Sequence, residues 1–189
     1  MAHSERPLRA DAARNRARVL AVAYETMAAE GVSVPIDEIA RRAGVGAGTV
    51  YRHFPTKEAL FGAVVRDRLE HTVASGRTLL ESDEPGEALY AFITALVTQG
   101  ATDLSLAQAL AGDGIDVNVV APEAEAQFLG LLGDLLATAK HADTARQEVT
   151  VPEVKALIVG VQAMQGYNPE VAERVTGIVL DGLRPRQSG

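Results

Sequence analysis

The sequence predicts an all-α protein of about nine helices, a small N-terminal helix-turn-helix unit followed by a larger helical region. Three observations carry that expectation. Apolar residues recur at helical spacing along almost the whole chain, and no stretch alternates as a half-buried strand would. Gly, Pro and short polar clusters interrupt the pattern at helix-length intervals. Hydrophobic residues make up 47% of the 189, enough for a sizeable core, yet no apolar run is long enough to span a bilayer.

The first helix is expected over 11–30, with Asp11 as its cap, Val19, Leu20, Ala23, Tyr24 and Met27 at helical spacing, and Gly31 as its stop. Pro35 suits the first turn of the second helix and Ser33 is a candidate cap. That helix runs to about Ala43, with Ile36, Ile39, Ala40 and Ala43 on one face, and Gly44 ends it. A short third helix follows and stops at Pro55. Thr56 caps a long fourth helix with Leu60, Phe61, Val64, Val65 and Leu69 in its stripe, running to about Leu80. After a break at 81–86, a helix over 86–100 turns Leu89, Phe92, Ile93 and Leu96 inward, and residues 103–111 read as a short helix. Residues 112–118 read as a loop; the spacing and closing Glu of a calcium loop are missing, so no metal is expected. Pro122 opens a helix through about Ala139. Thr150 and Glu153 form a capping-box pattern for the next, and Asn168-Pro169 opens the last, which Arg184-Pro185 closes.

Charge divides the chain. Residues 1–68 hold 11 Lys/Arg against 8 Asp/Glu, while the remainder holds 7 against 17. A basic segment on an acidic protein of net charge −7 is a hint of nucleic-acid contact. Cysteine is absent, which excludes disulfides and thiolate metal sites, and the N-terminal residues lack the apolar core of a signal peptide, so a cytoplasmic protein is expected.

The second and third helices, joined by a tight glycine turn, have the helix-turn-helix pattern. At about 100° per residue, Val50, Phe54 and Ala47 point to a core, and Gly48, Thr49, Tyr51, Arg52 and His53 point away. Small residues at the helix start let the backbone approach a phosphate. Thr and Tyr hydroxyls can anchor phosphates, and Arg52 can fork onto a guanine edge in the major groove. Lys57 stands in the first turn of a helix, where the dipole disfavours a cation and a phosphate would offset that cost.

This region resembles the TetR family of transcriptional regulators through Gly31, Ile39-Ala40, Ala43-Gly44-Val45, the run Gly48-Thr49-Val50-Tyr51-Arg52-His53-Phe54, and Lys57-Glu58-Ala59-Leu60, over roughly residues 11–65. The resemblance implies a homodimeric repressor of a palindromic operator on double-stranded DNA, released by a small-molecule effector whose binding swings the fourth helix. It makes residues 1–54 the DNA-binding domain and 55–189 the ligand-binding and dimerisation domain. It casts Thr49, Tyr51, His53 and Lys57 as phosphate anchors and Arg52 as the base reader. Ala47 departs from relatives that carry a longer, base-contacting side chain there. Arg9, Arg14 and Arg16 are candidates for backbone or minor-groove contacts, with ordinary surface charge as the alternative.

The last two helices carry apolar stripes, Val154, Leu157, Ile158 and Val161 on one and Val171, Val175, Ile178 and Gly182 on the other. Paired with their symmetry mates they would form a four-helix dimer interface, although part of each stripe must be core. Candidate effector contacts are Phe92, Leu96, Leu106, Leu110, Phe128, Leu132 and Met164, with Gln162 as a polar anchor; most such residues in any core only pack. A helical protein–protein adaptor is the alternative reading, against which the intact Thr49, Tyr51, His53 and Lys57 argue. A small helical enzyme is a weaker one. The four histidines are spread and no nucleophile motif occurs, so no catalytic residue and no cofactor are expected.

Overall fold

A computed structural model describes residues 5–99 and 116–186. The expected short helix over 103–111 and residues 112–115 lie outside them, as do Leu106 and Leu110. The described residues contain eight α-helices and one four-residue helical turn, with no strand. They are α1 (Glu5–Glu30), α2 (Ile36–Ala43), α3 (Ala47–His53), α4 (Lys57–Leu80), α5 (Ala88–Gln99), the turn α6 (Val117–Val120), α7 (Pro122–His141), α8 (Val151–Tyr167) and α9 (Pro169–Leu183).

Helix ends correct four readings. α1 starts at Glu5, ahead of Asp11, because Pro7 falls among the first four residues, whose N–H groups have no intrahelical partner anyway. Pro35 occupies the cap position of α2, and no side chain, Ser33 included, bonds there. α5 begins at Ala88 after a 3-10 turn over Pro85–Glu87. Val117 and Asn118, read as loop, belong to α6.

The chain forms two compact units, and α4 passes from one to the other at Arg68 and Leu69. Within the first, α1, α2 and α3 pack around Val19, Leu20, Ala23, Met27, Ile39, Ala40, Val50 and Phe54. The start of α4 adds Leu60, Phe61 and Val64 to the buried set. Residues 116–122 also belong to this unit, and a Cβ on Gly62 would stand 2.8 Å from the Val120 carbonyl oxygen, so glycine permits that backbone approach.

The second unit is built on Leu89, Phe92 and Ile93 of α5, Leu131, Leu132 and Leu135 of α7, and Val154, Ile158 and Val161 of α8, with Val73 of α4 and Leu183 of α9. Polar contacts lock one corner of it. Arg184 forks onto Glu87 at 2.9 and 2.7 Å and stacks 4.0 Å from the Tyr90 ring centre. The Tyr90 hydroxyl donates to the Thr144 carbonyl at 2.7 Å, and the Thr144 hydroxyl reaches the Gly86 carbonyl at 2.6 Å. Glu125, buried on α7, pairs with Lys155 of α8.

Candidate nucleic-acid interface

Gly44 makes the turn that aims α3. It sits at φ +64°, and the Val45 N–H closes onto the Ala40 carbonyl at 3.0 Å, a Schellman-type stop. Three residues on, α3 starts from extended Gly46. Val50 and Phe54 are buried, so the opposite side of this short helix faces solvent. Gly48, Arg52 and His53 are exposed, Tyr51 is 44% exposed, and Thr49 and Ala47 are half-buried. The division follows the helical wheel because Val50 and Phe54, four apart, occupy one row on a helix.

Arg52 lies along its own helix. Its Nε donates to the Gly48 carbonyl at 3.0 Å and its Nη2 to the Thr49 hydroxyl at 3.2 Å. The His53 ring adjoins Phe54, centroids 6.2 Å apart, and Lys57 places its ammonium 5.7 Å from the Phe61 ring centre. Thr56 accepts from the Ala59 N–H at 3.1 Å and so caps α4. Arg14 pairs with Asp11 on its own helix, both exposed. Arg16 is held over the Phe54 ring, 5.7 Å from its centre.

On α2, carboxylates take up the basic residues. Glu38 accepts from Arg41 at 2.7 and 2.8 Å and from Arg42 at 2.7 Å, and Arg42 also bonds Glu30 of α1. Hydrogen bonds from Arg41 and then Arg42 hold the Glu38 carboxyl down to about 2 from 4.5, and the bonds to Glu30 and Glu38 raise Arg42. α3 contains no carboxylate, so Arg52 has no counter-charge on its own helix.

The other expected site residues that the structure describes fall in the second unit. Phe92, Phe128 and Leu132 are buried, the two rings 6.2 Å apart, Leu96 and Met164 are half-buried against that core, and Gln162 is half-buried. Val154, Ile158 and Val161 are turned into the core and Leu157 is half-buried. The outward row of α8 is instead Ala156, Val159, Ala163 and Tyr167. α8 is apolar nearly all round, so periodicity does not tell its two faces apart. On α9, Val171, Ile178 and Gly182 are exposed and Val175 half-exposed, at a spacing that makes them one outward row. Among the described residues no group of three or more His, Asp or Glu could hold a metal ion, and no helix is long and apolar enough to cross a membrane.

Known proteins share both units. Residues 19–64 match the family model described as bacterial regulatory proteins of the tetR family. Residues 84–185 match the C-terminal domain of SbtR-like transcriptional regulators. A TetR transcription regulatory protein from Mycobacterium vanbaalenii, of known crystal structure, is 56% identical, with 95% of this chain and 100% of that one covered and a TM-score of 0.78. A TetR transcriptional regulator from Streptomyces coelicolor is 32% identical over 90% of this chain and 99% of that one, TM-score 0.72. Curated HTH-type transcriptional regulators of Staphylococcus aureus are similar over a shorter stretch; one is 38% identical over 64 residues, 33% of this chain and 35% of its own length. A glycine-turned pair of short helices with a carboxylate-free outer face, joined to a helical second unit and matched along nearly its whole length, places the chain in the TetR family of transcriptional regulators, with a helix-turn-helix DNA-binding domain.

Proposed function

We propose that the protein is a homodimeric repressor that binds a palindromic operator and leaves it when a small-molecule effector binds. The observation that carries the DNA side is the outer face of α3. Gly48, Thr49, Tyr51, Arg52 and His53 share it, Lys57 follows directly, and none of the acidic residues that neutralise α2 lies on it. Thr49, Tyr51, His53 and Lys57 anchor phosphates and Arg52 reads a base edge. Arg14 is a peripheral contact that must first leave Asp11. In this reading residues 1–54 bind DNA, 55–189 bind the effector and the second copy, and the protein works in the cytoplasm.

Dimerisation is supported by an apolar surface the single chain leaves open. Tyr167 is 91% exposed and Ile178 64%, and Val159 and Val171 extend the same kind of surface along α8 and α9. Exposed large apolar residues in helical rows mark an interaction face. A two-fold dimer through these rows suits an operator whose half-sites lie about one helical turn apart. The effector pocket would be formed around Phe92, Leu96, Phe128, Leu132, Gln162 and Met164, in an acidic unit that suits a neutral or cationic ligand.

In vitro selection with the purified full chain should recover a palindrome. With Arg52→Ala the same selection should lose preference at one position of each half-site, a change of about 1–3 kcal/mol per site. Failure to enrich any sequence with the wild-type protein would sink the operator reading. Screening small molecules for release of the recovered duplex tests the effector.

A further inference from the structure

α1 carries three arginines whose side chains are described, and they are spent differently. Arg14 pairs with Asp11 and Arg18 donates to Asn15 at 2.8 Å, both within one turn of their own helix. Arg16 stands apart. It occupies the row that, read onward at helical spacing, becomes Leu20, Ala23 and Met27, all buried. The core-facing row of α1 therefore ends in a cation, exposed, one turn beyond the last buried residue. That cation sits over the ring of Phe54, the residue that closes α3, and His53 adjoins the same ring.

Phe54 is 3% exposed, so its ring is fixed by the core. A guanidinium resting on a fixed ring is positioned without losing charge, and a cation–π contact consumes none of its N–H donors. Among the described residues no carboxylate or hydrogen-bond acceptor takes up those of Arg16. Arg41 and Arg42 show the contrast, since their donors go to Glu38 and Glu30.

We propose that Arg16 is a further phosphate-contacting residue of the DNA interface, placed beside the C-terminal end of α3 by the ring of Phe54. This rests on the DNA-facing reading of α3. Arg16 extends the basic face from α3 onto α1, and its donors are free of the ion pair that Arg14 must first break.

The test is the salt dependence of binding, by fluorescence anisotropy, of the full chain to a labelled mixed-sequence duplex long enough for two half-sites. Arg16→Gln should lower the slope of log affinity against log salt by about 0.9 per bound chain between about 50 and 200 mM KCl. It should do so equally on the duplex recovered by selection, since phosphate contacts carry no sequence information. Arg16→Lys should keep the wild-type slope. If Arg16→Gln keeps the wild-type slope while Lys57→Ala loses its share, the assignment to Arg16 is overturned and the α3 reading stands. If both keep it, the DNA-facing reading itself fails. A lowered melting temperature with an unchanged slope would make Arg16 a structural cover for Phe54 and overturn the proposal.

Discussion

Gly44 carries the turn between α2 and α3 on a backbone angle rather than on a contact. An added Cβ would meet nothing within 4 Å, so space is not the constraint; φ +64° is. Gly44→Ala should cost about 1–2 kcal/mol in urea unfolding, and an unchanged midpoint would show that the turn relaxes freely. Glu38 works through its bonds to Arg41 and Arg42. Its folded pKa lies below the unfolded value, so these bonds stabilise fully above pH 4.5, and the contribution fades as pH falls toward about 2. The group is open to solvent and screened, so the effect at neutral pH is small. The stability difference between wild type and Glu38→Gln should shrink across that window and in high salt; a constant difference from pH 5 to about 2 would refute the linkage. At this scale the outward side of α3 was legible, because Val50 and Phe54 fix it by local periodicity. The path of Arg52 along its own helix was not, since a rotamer depends on which acceptors happen to lie near.

Most elements could be read from stop signals and apolar rows: Gly31 stands at φ +84° and ends α1, Asn168 accepts from the Val171 N–H at 3.3 Å, and Glu153 accepts from the Thr150 N–H at 2.7 Å. Boundaries failed where a residue's effect depends on position, as with Pro7, harmless only because it lies in a first turn. Close approaches between elements were not legible either. A Cβ on Gly76 of α4 would collide with Leu131 Cδ2 and lie 2.9 Å from the Phe92 ring, so α4 seats there without a side chain. Gly76→Ala should destabilise by about 1–3 kcal/mol through overpacking, despite the gain in helix propensity. A calorimetric melt above that of the wild type would mean that Leu131 and Phe92 simply move aside.

For the whole molecule, the exposed rows of α8 and α9 matter most, because a single chain leaves them facing water. Ile178→Asp places a charge on that surface without touching the core. It should shift sedimentation velocity from dimer to monomer and weaken binding to a two-half-site duplex, with helix content by circular dichroism unchanged. A wild-type chain that sediments as a monomer at micromolar concentration would refute the interface. The α8 stripe shows why sequence did not settle this face: with Val154, Ile158 and Val161 on one side and Val159 and Tyr167 on another, only packing against α5 and α9 decides which is core.

Periodicity, caps and breakers act within a few residues, so the helices, the glycine turn and the outward side of α3 were all present in the primary structure. Contacts that join distant positions were not. The Arg184–Glu87 fork, the Glu30–Arg42 link, the approach of Val120 to Gly62 and the seat of Arg16 on Phe54 each bring together residues that no local pattern connects. They exist because several helices must bury their rows at once, and the positions left at the edge of that packing decide which charges stay available to a partner.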